Sequence, residues 1–288
     1  MENILEIQSL NKSFKDFSLK DVSFKLPYGY IMGLIGPNGA GKTTIIKLIM
    51  NLLLKDSGDI TVFDRDHQKH EAYVKSRIGF VYDQPPFPPT LKLDKIRKII
   101  APFYDAWDEA KFLELMERFE LPLKRKFQKL SQGMKMKFAL VIALSHNADL
   151  IIMDEPTSGI DPVFRRELLG ILLELIQNEQ KSILFSTHIT SDLDRVADYI
   201  TYIRKGEIAI STTKQELIEN WGIVKTSESR LSDFRGGIYL GHRKNEFGCE
   251  ILTSDKKAAG QNLTGEETIA SATLEDIMFL MHEGKAGA

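Results

Sequence analysis

Residues Gly36-Pro37-Asn38-Gly39-Ala40-Gly41-Lys42-Thr43 form a phosphate-binding loop of the pattern G-x4-G-K-T, and such a loop dictates its own surroundings. It needs a buried strand before it and a helix after it. Tyr30-Ile31-Met32-Gly33-Leu34-Ile35 reads as that strand, and Ile45, Ile46, Leu48, Ile49, Leu52 and Leu53 follow at helical spacing. Gly36, Gly39 and Gly41 lack a Cβ, so backbone N–H groups can turn inward around an anion while a helix begins at its far side. Lys42 can reach the β- and γ-phosphates, the Thr43 hydroxyl can hold the Mg²⁺ that travels with the nucleotide, and Pro37, Asn38, Ala40 and Thr44 complete the cradle. The chain is expected to bind a nucleoside triphosphate in an α/β domain.

With 288 residues the chain has room for one large α/β domain and a small appendage, or for two modest domains. Lys and Arg total 38 against 40 for Asp and Glu, so no polyanion-binding surface is announced and no nucleic-acid partner is expected. Cys249 is the single cysteine and cannot form an internal disulfide, and no charged-then-apolar leader opens the sequence, which points to a reducing cytoplasm. No apolar run approaches the ~20 residues of a membrane-spanning helix, so a membrane role must come through a partner.

Two alternating stretches, Ile4–Ile7 and Leu19–Phe24, read as antiparallel strands ahead of the buried strand. After the loop helix come a turn at Asp56-Ser57-Gly58, a strand at Asp59–Val62, a short helix at Ala72–Ser76 and a strand at Ile78–Tyr82. The proline segment behind Gln84 marks a boundary. From Leu91 to Ser145 the apolar period is helical, which predicts a helical subdomain over about residues 85–148, inserted between strands. Strands return at Leu150–Met153 and Ser182–Ser186, with a helix after Pro162, a helix near Asp192–Ala197, a hairpin at Lys205-Gly206 and a helix near Lys214–Glu219. Beyond about residue 220 the pattern weakens. Short strands at Ile238–Leu240 and Cys249–Leu252 and a helix over Leu274–Met281 suggest a small accessory region spanning 221–288.

The strand Leu150–Met153 delivers Asp154 and Glu155 at its C-terminal end, where ligand sites in open parallel sheets lie. Asp154 can hold Mg²⁺, and Glu155 is placed to polarise a water for attack on the γ-phosphate. Leu130-Ser131-Gln132-Gly133-Met134 opens another helix with Ser131 as its N-cap. A serine, a glycine and a helix N-terminus also suit an anion, but this helix is too far along the chain to be the loop's own.

Ser131 to Met134 resembles the LSGGQ signature of ATP-binding cassette (ABC) ATPases. The order of phosphate loop, Gln84, signature, Asp154-Glu155, Ser158-Gly159-Ile160-Asp161 and Ser186-Thr187-His188 is similar to that family's complete motif series over about residues 2 to 220. The resemblance implies a P-loop NTPase mixed sheet with an antiparallel β subdomain and the inserted helical subdomain. It also implies two cassettes packed head to tail. Ser131, Gln132 and Gly133 of one subunit would then close on ATP held by Lys42 of the other, with Asp161 at the seam and His188 at the γ-phosphate. Gln84 would link the Mg²⁺ and the water to the helical subdomain. Phe14 resembles the aromatic residue that stacks on adenine, with Phe17 as the alternative, and ATP over GTP is implied by resemblance alone.

In one place the series departs from the family pattern. Gln132 and Met134 replace the usual second glycine and the glutamine, adding bulk where backbone approaches phosphate and suggesting a slowed or asymmetric dimer site. The six histidines show no paired metal-ligand spacing, and Lys124-Arg125-Lys126 reads first as a solvated face and second as a docking contact. As a whole, the chain looks like the ATP-hydrolysing subunits of bacterial ABC-2-type exporters for antibiotics, peptides or lipids, including the ending Leu274-Glu275-Asp276-Ile277-Met278. That resemblance implies an ATPase, a second cassette as homo- or heterodimer partner, separate membrane permease subunits, and a place on the cytoplasmic face of the membrane. The rival class is a soluble ABC switch acting on ribosomes or DNA. Such relatives carry tandem cassettes or a coiled-coil insertion, and neither is present in this sequence.

Overall fold

The computed structural model describes residues 2–177, 181–234, 237–246, 248–263, 265 and 267–283. The chain opens with the amphipathic strands β1 (Asn3–Ser13) and β2 (Ser18–Pro27), then the fully buried β3 (Ile31–Ile35), which feeds the phosphate loop and α1 (Lys42–Ile49). An isolated helix as short as α1 is marginal in water. Burying Ile45, Ile46, Leu48 and Ile49, each worth about 1.5–3 kcal/mol, is what holds it against the sheet.

β4 (Ser57–Val62), β5 (Arg65–Asp66), α2 (Glu71–Ser76) and β6 (Ile78–Val81) follow. β1, β2, β4 and β5 form an antiparallel sheet of order β2-β1-β4-β5. β1 runs past the expected Ile7 as far as Ser13, with register irregularities near Leu10. Its polar stretch Gln8-Ser9 hides this continuation in the sequence, and Ser9 takes a positive φ of 45°.

Next come α3 (Leu93–Ile100), a 3₁₀ turn at Ala101–Phe103, α4 (Glu109–Arg118) and α5 (Gln132–Leu144). The chain then returns to the sheet through β7 (Leu150–Asp154), α6 (Pro162–Ile176), β8 (Ser182–Thr187), α7 (Thr190–Val196), β9 (Tyr199–Arg204) and β10 (Glu207–Thr213). The second sheet has the order β10-β9-β3-β8-β7-β6, and the pairs β9/β3, β3/β8, β8/β7 and β7/β6 are parallel. Every residue of β3, β7 and β8 is buried, as strands covered on both faces must be. Their C-terminal ends lie along one edge, which sets the phosphate loop, Asp154-Glu155 and His188 side by side.

α8 (Lys214–Asn220), β11 (Gly222–Thr226), β12 (Tyr239–Asn245), β13 (Gly248–Thr253), α9 (Lys256–Gly260), β14 (Thr268–Ser271) and α10 (Leu274–Glu283) complete the chain. The structure divides into two units, residues 1–209 and 210–288, so the break falls inside β10 and not near residue 220. α8 belongs to the second unit, where Lys256 Nζ donates to the Ile218 carbonyl at 2.8 Å. The second unit is better organised than its weak sequence pattern suggests. β12-β13-β11-β14 make an antiparallel sheet, with Val224, Ile251, Phe234 and Ala259 in a small core.

Candidate nucleotide site

The phosphate loop is shaped by close approach. A Cβ on Gly36 would meet the Ile203 carbonyl oxygen at 2.3 Å, and Gly41, the N-cap of α1, has φ 117°, so a side chain is excluded at the first and strained at the second. The loop is fixed by Ala40 N donating to Pro37 O at 3.1 Å and by Gly206 N donating to Ala40 O at 3.1 Å. No side chain caps α1, so its first amide groups remain available to an anion.

Lys42 is 5% exposed and its Nζ donates to the Gly36 carbonyl at 2.8 Å while lying 3.1 Å from Glu155 Oε1. The other Glu155 oxygen, Oε2, is 2.8 Å from His188 Nδ1. The Glu155 carboxylate therefore sits between the loop lysine and the residue just past β8. Glu155 itself takes a left-handed φ of 49°, and its N–H is held by the Ser186 carbonyl at 3.1 Å and Ser186 Oγ at 3.0 Å. The same Ser186 hydroxyl donates to Asp154 Oδ1 at 2.7 Å, so one serine orients both acidic residues.

These groups border a cavity of about 630 Å³, within the range of small-molecule sites, lined by Asp16, Phe17, the loop from Asn38 to Thr44, Asp83, Glu155, Ser158 and His188. Burial and then the charges of Asp154 and Glu155 hold the Asp83 carboxyl above the usual carboxylate range. A hard, oxygen-seeking cation suits this donor set: Mg²⁺ takes one or two carboxylates together with substrate phosphates and keeps its waters. Thr43 and Asp154, with the converging negative charge, fit that pattern. Among the described residues no group of three or more His, Cys, Asp or Glu forms a dedicated metal cage.

A family profile described as ABC transporter matches residues 19–158. The lantibiotic transport ATP-binding protein SrtF of Streptococcus pyogenes is 34% identical over 226 residues, covering 75% of this chain and 96% of that one. This chain belongs to the ABC transporter ATP-binding proteins. The linearmycin resistance ATP-binding protein LnrL of Bacillus subtilis (strain 168), 32% identical, spans 96% of the cassette chain and 93% of its own, so that similarity continues through the second unit. A solved ATP-binding subunit of an ABC transporter superposes with a TM-score of 0.67 at 28% identity, covering 75% of this chain and 92% of that one. As an ABC ATPase, the cassette is an ATP-hydrolysing subunit. Among its described residues no helix is long and apolar enough to cross a membrane.

The residues singled out in the sequence fall into two groups in this cassette. Asn38, Gly39, Ala40, Gly41, Lys42, Thr43, Thr44, Glu155 and His188 line the cavity. Gly36 and Pro37 lie just beneath it, accepting from Lys42, and Asp154 is buried behind Glu155. Phe14 does not line the cavity. It is 45% exposed and stacks on Phe17 at 6.4 Å, and Phe17 is the ring beside the loop, its Cζ lying 2.9 Å from where a Gly41 Cβ would be. The tight turn at Lys15-Asp16, closed by Phe14 N donating to Phe17 O at 2.8 Å, points the second ring inward and the first outward.

Gln84 is also outside the cavity and exposed, while its neighbour Asp83 lines it. β6 ends at Val81, and the bend that follows turns the glutamine away. Ser131, Gln132, Gly133 and Asp161 do not line it either. Ser131 caps α5 through Met134 N at 3.2 Å, Asp161 caps α6 through Val163 N at 3.1 Å and Phe164 N at 2.9 Å, and a Cβ on Gly133 would lie 3.9 Å from Asp161 Oδ2. Sequence reasoning missed Asp16, Asp83 and the bridging role of Ser186. The last had a readable signal, a hydroxyl at the end of the apolar run Ile183-Leu184-Phe185.

Proposed function

We propose that the cassette binds ATP with Mg²⁺ in this cavity and hydrolyses it between two subunits, powering a separate membrane permease that exports its substrate. The observation that carries the reading is the joint placement of Lys42, Glu155 and His188 around one phosphate loop. Phe17 supports the base by stacking, and the loop amides take the β- and γ-phosphates. Arriving phosphate competes with Glu155 and the Gly36 carbonyl for Lys42. Once the ammonium turns to the phosphate, Glu155 is free to accept the proton of an attacking water, while His188, hydrogen-bonded to the same carboxylate, orients it. When bound, Mg²⁺ would neutralise charge on the β- and γ-oxygens, held by Thr43 and Asp154.

Because Ser131, Gln132 and Gly133 stand apart from this cavity, we assign them to the nucleotide of a second cassette, with Asp161 at the contact. Two relatives, named for lantibiotic transport (SrtF) and linearmycin resistance (LnrL), support the export direction. The site of action is then the cytoplasmic face of the membrane, beside the permease.

Glu155→Gln tests both halves. General-base loss lowers turnover by about 10²–10⁴-fold while leaving ATP bound. With Mg·ATP the variant should accumulate as a two-cassette complex by light scattering. A protein that stays monomeric, alone and mixed with each candidate second cassette, would remove the shared-site reading. Co-purification with an integral membrane protein tests the permease.

A further inference from the structure

Residues 121–148 carry six Lys and Arg and no Asp or Glu, in a chain whose net charge is only −2. Folding adds to this local excess. Asp94 N donates to Leu123 O at 3.0 Å, so residues 123–127 run along the start of α3, where Lys92 and Lys126 form an antiparallel bridge. The bridge is closed by Leu93 N donating to Arg125 O at 3.1 Å and Phe127 N donating to Leu91 O at 2.9 Å. Those flanking bonds make it a non-hydrogen-bonded pair, the register in which two side chains stand closest, and like charges set opposite each other are destabilising. Lys124, Arg125 and Lys129 adjoin the pair in sequence, and Lys95 follows one turn of α3 beyond Lys92. All six cations are exposed, and among the described residues none of them has an ion pair, although the neighbouring Arg97 and Lys98 share Asp94.

Such a cluster costs the free chain a repulsion that an anionic partner removes. Five of the six are Lys, point charges on long stems, and not the rigid fork of Arg that grips one phosphate or carboxylate in a fixed geometry. A layer of anionic headgroups needs no fixed geometry. Along α3 the exposed side chains then pass from Lys92 and Lys95 to Ile99, 54% exposed, and to Phe103 in the turn that follows, 78% exposed. Cations beside exposed aliphatic and aromatic side chains match the headgroup and upper acyl zones of a membrane, whereas a nucleic acid has no use for Ile99. We propose that this face, around Lys92 and Lys124-Arg125-Lys126, binds the phosphate headgroups of anionic phospholipid. The cassette then has a membrane contact of its own, in addition to the permease, and that contact does not depend on nucleotide.

Vesicle binding by the full chain, without permease or nucleotide, is the test. The chain should co-sediment with mixed phosphatidylglycerol and phosphatidylcholine vesicles at low salt, be released as salt rises, and ignore vesicles of phosphatidylcholine alone. Replacing Lys124, Arg125 and Lys126 together by Gln should lower the partition coefficient at least about tenfold and flatten the salt dependence, with ATP turnover in membrane-free solution unchanged within about twofold. Lys92→Glu sets opposite charges face to face with Lys126, so it should raise the thermal unfolding midpoint while weakening vesicle binding, a divergence that a merely structural role does not give. Equal binding to both kinds of vesicle, or a loss of less than about tenfold in the triple variant, overturns the proposal. So does attachment to poly-glutamate or to an oligonucleotide with the anionic vesicles ignored, which would give the face to a protein or a nucleic acid instead. The ATPase reading is judged separately, by turnover in solution.

Discussion

The phosphate loop and the start of α5 are both glycine-containing entrances to helices, yet the chain builds them in opposite ways. At the first, the protein's own backbone demands glycine: Gly36 lies against the Ile203 carbonyl and Gly41 has a left-handed φ. At the second it does not, because a Cβ on Gly133 would make only ordinary contact, 3.9 Å from Asp161 Oδ2. α1 has no side-chain cap, whereas Ser131 already satisfies an amide of α5. The difference separates a loop whose glycines are demanded by this chain's own packing from a surface whose composition that packing does not explain. A phosphate brought by another subunit would explain it.

The largest effect that could break this contrast is a pair of alanine substitutions. Gly36→Ala sets a methyl against a backbone oxygen that cannot yield, and should cost about 1–3 kcal/mol of stability in thermal unfolding. Gly133→Ala should be neutral or stabilising by about 0.5–1 kcal/mol, as expected for glycine inside a helix, and still lower ATP turnover. Equal stability losses at the two positions would erase the distinction. Within the first site, Phe17→Ala should weaken nucleotide binding by about 1–3 kcal/mol, read by fluorescence titration, with Phe14→Ala smaller. The reverse order would restore Phe14 as the stacking ring.

At the second region, Gln132→Gly removes bulk where a partner's phosphate would approach. Turnover should rise by about fivefold, equivalent to roughly 1 kcal/mol of barrier, and no rise would mean that Gln132 imposes no penalty.

The smallest effect is with pH. His146, just beyond α5, is buried, stacks on Tyr104 at 3.9 Å, and presents its ring nitrogens to the carbonyls of Ile142 at 3.2 Å and Ile78 at 3.1 Å. Burial pushes its pKa below the ordinary 6.5, outweighing the two carbonyls, and the charge of Lys181 adds to the decrease. The folded state then binds the proton less readily than the unfolded chain. The stability that His146 contributes is full above 6.5 and is lost as pH falls from there through the lowered folded value. Once the intrinsic pH dependence of amide exchange is divided out, protection of α5 should fall between pH 7 and 5 more than that of α1, and His146→Gln should flatten that difference.

Much of this was legible in the sequence because the core strands are continuous apolar runs. Leu150–Met153 and Ser182–Ser186 could not be satisfied except between two layers, and the loop fixed which edge mattered. What could not be read was set by turns and by register. The choice between Phe14 and Phe17 depends on the direction of a tight turn, and which of Asp83 and Gln84 lines the cavity depends on where β6 stops. Of the second unit's sheet only fragments of β12 and β13 were readable, because β12, Tyr-Leu-Gly-His-Arg-Lys-Asn, carries no alternation of apolar and polar residues, and β14 spans only Thr268–Ser271.

Asp161 has one further consequence. With Oδ1 engaged by two amides of its own helix, its carboxylate is locked before any encounter, and Oδ2 is left beside Gly133. A face held this way gives up little side-chain freedom on contact, so a second cassette docking here would meet a finished surface. Its rate of capture would then be set by collision and nucleotide occupancy and not by local rearrangement.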